Sequence, residues 1–496
     1  VGVDRGGDGV AQAGDSNLVG KTADYICDGT ADNVEIQQAI DSLGSNGGVV
    51  YLLEGTYNIS GSIKLNNTAP NDSGKALIGT GAGTVLSVSG SGDAISAWDV
   101  NAIFISQLRI NGNSSGDDGI SFIRVSNSKI DKVWIENMSN QGIWLSDASY
   151  NSVCENNLQG NDRGIALWKS SNNIISGNNV QNNAAGGIGL SAPNNPSNNN
   201  IISGNNISNN TYGTGISIQG CFNNTISGNN LQGNGWHGIK LYSDPPPGTP
   251  CDNNIISGNN IQDSNWAGIS FYSASNNNIS SNNLQNNGVG NNNRSIEIYA
   301  SSNNNLISSN MIIDSVMDGI RIGSSNNNLI SSNRIFDSTG SDYGIYIGST
   351  SDNNYLSANY IDGAGYLGAA YDRRINDSGT NTKYTGKDKV TLEPVTFTSP
   401  ASAFTKIDLS SAGTGPTTYI QLNPSSAITL GNPAIDDGKA AGDMLILENI
   451  STNPVTITDN TNVQLYDNSS RTLGTNDTLK LIFNSTDWLE VSFADN

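Results

Sequence analysis

The sequence predicts an all-β chain: a single-stranded parallel β-helix with a capping helix at its N-terminal end, then a small antiparallel β-sandwich or barrel. Three observations predict this. The phrase Asn199-Asn200-Ile201-Ile202-Ser203-Gly204-Asn205-Asn206-Ile207 recurs with small changes from Ser171, Asn223, Asn253, Asn277, Asn304, Asn327 and Asn353. A second phrase alternates with it, as in Gly142-Ile143-Trp144-Leu145, Gly215-Ile216-Ser217-Ile218 and Gly319-Ile320-Arg321-Ile322, and successive copies lie 22 to 30 residues apart. A period in that range marks a solenoid. After Asp377 the period stops, and short apolar runs alternate with Gly, Asn and Asp. The predicted domains are therefore an extension over 1–23, the β-helix with its cap over 24–377, a linker over 378–389 and a sandwich-like module over 390–496.

The elements follow in chain order. Val1 to Thr22 is rich in Gly and Asp and reads as an extended lead-in. Asp32 is placed to N-cap a helix, with Glu35 three residues on in a capping-box arrangement. Ile36, Ala39, Ile40 and Leu43 form its apolar stripe, and Gly44 ends it. The run Gly47-Gly48-Val49-Val50-Tyr51-Leu52-Leu53 then reads as a buried strand, and irregular coils follow to Met138. From Gly142 the coils are regular. Ile-x-Ile places both branched side chains on one face of a strand, and Gly or Asn turns the chain at each corner. Stacking sets like residues about 4.8 Å apart, so the Asn columns are expected to form amide ladders along the axis. Insertions at Ala192–Ser197, Ser243–Pro250 and Asn286–Asn293 read as loops, the second stiffened by Pro245, Pro246 and Pro247. In the C-terminal module, strands are predicted around Val395–Phe397, Tyr419–Leu422, Met444–Leu447, Val455–Ile457, Leu479–Phe483 and Trp488–Val491.

The repeat over about Asp24 to Asp377 resembles the right-handed parallel β-helix superfamily. That group includes pectin lyases, polygalacturonases, alginate epimerases, phage tailspikes and the carbohydrate-binding β-helix of periplasmic nitrous-oxide-reductase maturation. The helix and the Gly-Gly-Val-x-Tyr-Leu-x-x-Gly-x-Tyr unit resemble the N-terminal cap of secreted members. Gly442 to Phe493 resembles C-terminal modules of phage tail fibres and microbial surface proteins. These resemblances imply a right-handed helix and a role with glycans; a fold of this kind hosts many activities, so function is argued from a site.

Composition narrows the partners. The chain holds 44 acidic and 23 basic side chains, a formal charge of −21. That disfavours nucleic acid and anionic membranes, which need basic patches. No apolar run is long enough to span a membrane. No signal peptide stands at Val1, so a secreted form is expected to have lost it already. Cys221 and Cys251 precede the Asn223-Asn224 and Asn253-Asn254 pairs by the same two places. They share a turn column in adjacent coils and are candidates for a disulfide or for two stacked thiols. Cys27 and Cys154 read as buried small hydrophobes. With one histidine and four methionines, a copper site is disfavoured.

The outward positions of the second phrase define a surface. One column runs Trp144, Ala166, Gly189, Ser217, Lys240, Ser270, Glu297, Arg321, Tyr346; the next runs Ser146, Trp168, Ser191, Gln219, Tyr242, Tyr272, Tyr299. A third lies two residues before each leading isoleucine and includes His237, Arg294 and Asp318. The band from Trp236 to Arg321 therefore gathers Trp236, His237, Lys240, Tyr242, Trp266, Tyr272, Arg294, Glu297, Tyr299, Asp318 and Arg321. Stacked Tyr242, Tyr272 and Tyr299, with Trp236, Trp266 and Arg294, suit sugar rings and their substituents. For catalysis, Lys240, His237 or a tyrosine is the candidate base, an arginine (Arg321 or Arg294) the candidate cation, and Glu297 with Asp318 the candidate carboxyl pair of a hydrolase. Gly116-Asp117-Asp118-Gly119 looks like the paired-Asp motif of polygalacturonases, but about five coils separate it from His237-Gly238, so the match reads as chance. The Asp-Pro-His signature of the epimerases is absent. No cofactor is expected; Ca2+ stays open as a ligand, although no carboxylate cluster of the pectate-lyase kind is recognisable on adjacent coils. The sequence favours a secreted structural or adhesive protein of a cell surface, fibre or virion that presents a glycan-binding face, with its oligomeric state open and a homo-trimer or filament among the options. The alternative is a polysaccharide lyase or glycoside hydrolase working on the same face.

Overall fold

A computed structural model describes residues 10–15, 24–66, 73–191, 196–243, 249–290, 294–336, 343–362, 375–385, 389–390, 395–399, 407, 417–435 and 442–495. The chain winds into three parallel sheets of 16, 14 and 13 strands, in each of which neighbouring strands come from successive coils. The first sheet carries strands such as Ile201–Ser203 and Ile255–Ser257, the second Asn206–Ser208 and Asn260–Gln262, and the third Thr214–Gln219 and Ile269–Tyr272. The register is strict: Ile202 pairs with Ile226, Ile207 with Leu231, and Ile216 with Ile239. These residues form one fully buried apolar column.

The Asn pairs close the corners by a division of labour. Asn172, Asn199, Asn223 and Asn253 take a positive φ of 56 to 60°, the left-handed turn that Asn tolerates. The next residue, as in Asn173, Asn200, Asn224 and Asn254, points inward and is buried. Its Nδ2 donates to the Oδ1 of its counterpart one coil on, at 3.2 Å from Asn173 to Asn200 and 3.1 Å from Asn200 to Asn224. A second internal ladder runs Asn156, Asn178, Asn205, Asn229, Asn259, Asn282, Asn310, Asn333, Asn359. Each rung satisfies corner backbone that would otherwise be orphaned in the core.

Both ends of the β-helix depart from the sequence reading. Val10–Asp15, read as lead-in, is a strand pairing in parallel with Tyr25–Cys27 and Gly48–Leu52. Asn33–Ser42 is the single long helix among the described residues and buries Ile36, Ala39 and Ile40. The capping box does not form. Asp32 has helical φ and ψ, and its carboxylate instead accepts from the N–H groups of Gly29 at 2.8 Å and Asn58 at 2.6 Å. The acid thus ties the cap to the first coil. At the far end Ile375–Asp377, Lys383–Thr385 and Lys389–Val390 each extend one of the three sheets, so the coil continues through the stretch read as a linker.

The C-terminal module is mixed, not antiparallel. Val395–Ser399, Thr417–Pro424 and Met444–Asn449 pair in parallel, and Thr478–Phe483 and Trp488–Ala494 then pair antiparallel. Strand positions follow from alternation, but pairing direction depends on crossovers that carry no period. Its core includes Leu422, Leu445, Leu447, Leu481 and Trp488. Cys221 and Cys251 are fully buried and not joined in a disulfide. Their Sγ atoms face the carbonyls of Gln219 at 3.0 Å and Ile218 at 3.5 Å. Cys154 is half-exposed rather than buried, with its Sγ 3.2 Å from Asp131 Oδ1. It occupies an outward position of the first sheet.

Candidate functional site

The third sheet carries the candidate face. Its register stacks Lys240, Ser270, Glu297, Arg321 and Tyr346 in one column and Tyr242, Tyr272 and Tyr299 in the next. Alternation forces this: the isoleucines of Ile239–Tyr242, Ile269–Tyr272 and Ile296–Tyr299 point into the core, so the residues between them point out. Tyr272 meets Tyr299 edge-on, ring centroids 5.1 Å apart and planes at 76°. Lys240 Nζ lies 4.9 Å from the centroid of Tyr242, and the Arg321 guanidinium 4.5 Å from that of Tyr346. At the corner before these strands, Trp236 and Trp266 stack at 5.4 Å with 14° between planes. Trp236 and Tyr272 are exposed, 44% and 45% of their surfaces open to solvent.

Burial sorts the charged members. Asp318 is buried; its Oδ1 accepts from Tyr343 N–H at 3.0 Å, and its Oδ2 lies 3.6 Å from both Arg294 Nε and Arg321 Nη1. Arg294 Nη1 also reaches Glu297 at 3.6 Å. Asp318 therefore holds two arginines in place and is not the outward acid expected from the sequence. His237 is also buried, edge-on to Trp266 at 5.1 Å. Burial, with Lys240 nearby, pushes its pKa down to about 3, so it stays neutral. In the column two before the isoleucine, neighbouring side chains cover His237 and Asp318 while Arg163 stays exposed. Ser270, though outward, is covered as well, between the longer Lys240 and Glu297.

Two groups remain with shifted acidities on a reachable surface. Burial lowers the Lys240 ammonium below the usual lysine range, and Glu297 opposes that shift. Burial raises the Glu297 carboxyl, opposed by Arg294, Arg321 and Lys240. Among the described residues these two make no ion pair with each other within 4.0 Å; each leans toward its neutral form across Ser270. The Tyr299 hydroxyl beside them is raised by burial and then by Glu297.

A second cluster lies further back along the same sheet and was set aside in the sequence. Asp93, Asp117 and Asp118 bring carboxylate oxygens within 4.8 Å of one another. Burial, with the other two acids, pushes Asp118 up to about 7 while its Oδ1 accepts from Gln141 N–H at 2.9 Å. Asp93 is raised too, chiefly by burial. Adjacent coils thus do assemble carboxylates, with the charge to hold a divalent cation or to share a proton. The signal was available: Asp93 and Asp118 stand two places before Ile95 and Ile120, the position that gives Arg294 and Asp318. Cys27, Asp32 and Glu35 form a similar group in the cap. The loop residues 192–195, 244–248 (with Pro245, Pro246 and Pro247) and 291–293 lie outside the described residues.

Comparison with known proteins follows this geometry. Residues 47–195, 93–254 and 248–386 match the model described as right handed beta helix region. Residues 402–489 match the phage depolymerase C-terminal beta sandwich domain. No curated protein matches the chain in sequence. Among solved structures, the Agl-KA catalytic domain superposes with a TM-score of 0.53 at 16% identity, covering 77% of this chain and 69% of that one. The A-module of mannuronan C-5 epimerase AlgE6 from Azotobacter vinelandii gives 0.48 at 18% identity, over 73% and 96%. The catalytic domain of a GH87 alpha-1,3-glucanase in complex with tetrasaccharides gives 0.49 at 16%, over 71% and 66%. At these identities the likeness is one of fold.

Proposed function

From a chain that belongs to the right handed beta helix family, we propose a polysaccharide-binding protein of the extracellular or virion surface that cuts an acidic polysaccharide by β-elimination. The observation that carries this reading is the placement of Lys240 and Glu297 on either side of Ser270 in one column, beside Arg321 and a column of tyrosines. Hydrolysis wants two reachable carboxyl groups, and with Asp318 buried against Arg294 and Arg321, Glu297 is the reachable carboxyl among the described residues of this band. Elimination wants one base, one acid and a cation, and Lys240, Glu297 and Arg321 would fill those roles. In the proposed step, neutral Lys240 takes the proton next to a uronate carboxylate, and Arg321 offsets the negative charge that develops there. The bond to the leaving glycosidic oxygen breaks, a carbon–carbon double bond forms, and Glu297 protonates that oxygen. Lys240 ends protonated and Glu297 ionised, and proton exchange with solvent restores both. Tyr242, Tyr272 and Tyr299 offer apolar faces and hydroxyls to the sugars on either side. The match of residues 402–489 to a phage depolymerase module supports a polysaccharide substrate, without specifying its charge.

Incubation with pectate, alginate and neutral glucans tests this. The expected result is ultraviolet absorbance from an unsaturated uronate, lost in Lys240→Ala. Binding without any new absorbance would replace this reading with glycan display alone, which the long surface of Asn, Ser and Gln favours.

A further inference from the structure

Beyond the Lys240–Glu297 centre, and resting on the proposal that a polysaccharide lies on this face, we infer that the third sheet carries a second glycan-binding station at Trp144 and Trp168. Both tryptophans are outward and half-buried, on the adjacent strands Gln141–Ser146 and Arg163–Trp168. Trp144 stands in the column that leads to Lys240, and Trp168 in the column that leads to Tyr242. Register gives the path: Trp168 pairs with Ser191, Ser191 with Gln219, and Gln219 with Tyr242. Three coil steps separate the stations, about 14 Å at the spacing of paired strands.

The floor between them is low. Trp144 is followed in its column by Ala166, Gly189 and Ser217. At Gly189 a Cβ would meet nothing within 4 Å except the Arg163 guanidinium, at 3.9 Å. Large aromatic surfaces thus bracket a strip of Ala166, Gly189 and Ser217 on one sheet, and the Tyr242 hydroxyl at its far end is 3.2 Å from Gln219 Oε1. An extended sugar chain lying along the axis meets aromatic faces at both ends and, among the described residues, small side chains with Gln219 and the Arg163 guanidinium between them. Engaging both stations turns the second contact into an intramolecular one, so affinity grows steeply once the chain is long enough to span them. A disaccharide is too short to reach both.

The test uses Glu297→Gln protein, which should hold polymer uncut, with high-molecular-mass pectate and alginate and the disaccharides cut from them. The readout is the ratio of polymer to disaccharide affinity for whichever polymer binds. Replacing both tryptophans (Trp144→Ala with Trp168→Ala) should lower that ratio about tenfold or more. Gly189→Phe, which raises a side chain into the strip while leaving both stations intact, should lower it too. Ile201→Ala on the outer face of the first sheet should leave it unchanged. Polymer binding with an unaltered ratio in both third-sheet variants overturns the second station and leaves the proposed function standing. Failure of the parent to bind any polyuronate overturns both.

Discussion

Truncating Asn205 should cost far more than truncating its neighbour Asn206, although the two are chemically identical and adjacent. Asn205 is buried in the second internal ladder. Its Oδ1 accepts from the N–H and the Nδ2 of Asn178, both at 2.9 Å, and its Nδ2 donates to Ile175 O and Asn229 Oδ1, both at 2.9 Å. Asn205→Ala removes all four contacts and strands the buried Asn178 N–H. At roughly 0.5–1.5 kcal/mol for each of the four hydrogen bonds and 1–3 kcal/mol for a stranded group, the loss is about 3–9 kcal/mol. Asn206 points outward in the second sheet. Its Nδ2 donates to Asn179 Oδ1 at 2.9 Å and its Oδ1 accepts from Asn230 at 2.9 Å, both at an exposed site. Water replaces those partners, so Asn206→Ala should cost under about 1 kcal/mol. Stability in a solenoid is carried by each repeat and its neighbours. The assay is therefore native-state hydrogen exchange, followed at amides of the coils that contain Asn178, Asn205 and Asn229. Equal loss of protection in the two variants would refute the claim that the inward amides hold the coils together.

Two further predictions concern titration. Glu297→Gln removes the carboxylate that holds up the Lys240 ammonium, so the Lys240 pKa should fall further; NMR of the labelled lysine checks it, and an unchanged value would mean the pair does not interact. The same change should lower elimination by about 10²–10⁴-fold, read from single-turnover product formation. Asp118 has a native pKa of about 7 against an ordinary value of 3.8, so its contribution to stability is full below 3.8 and is lost as pH rises through 7. Asp118→Asn keeps an oxygen for Gln141 N–H and carries no charge. It should raise the melting temperature at pH 8, by no more than about 4 kcal/mol in stability, with the difference shrinking toward pH 4. A difference that is constant with pH would contradict the burial of that acid.

The regular coils were legible because each strand has a two-residue period and each corner an Asn or Gly. In-phase isoleucines such as Ile202, Ile226 and Ile256 predict both the core column and the outward register of Lys240, Ser270, Glu297 and Arg321. What the sequence did not show is which outward or corner residues a neighbouring side chain covers. His237 and Asp318 share a column with exposed Arg163, and only packing by the next coil separates them. Ser270 is buried because Lys240 and Glu297 flank it. Asp93 and Asp118 obey the two-before-isoleucine rule, yet the early coils lack the repeated phrase that made the rule visible further on. Asp32 carries a capping-box spacing, but Asn58 and Gly29 offer its carboxylate better-placed N–H groups. In the C-terminal module the apolar runs marked strands, whereas parallel or antiparallel pairing rests on contacts far apart in sequence.

The account depends most on where a polysaccharide lies. Hydroxyl-radical footprinting of the Glu297→Gln protein, with and without bound polyuronate, reports this side chain by side chain. The account predicts that the polymer protects Trp236, Tyr272 and Tyr299 and leaves Ile201 and Ile255, exposed on the first sheet, oxidised at the same rate. Protection of the first sheet with the tyrosine column still fully reactive would contradict it.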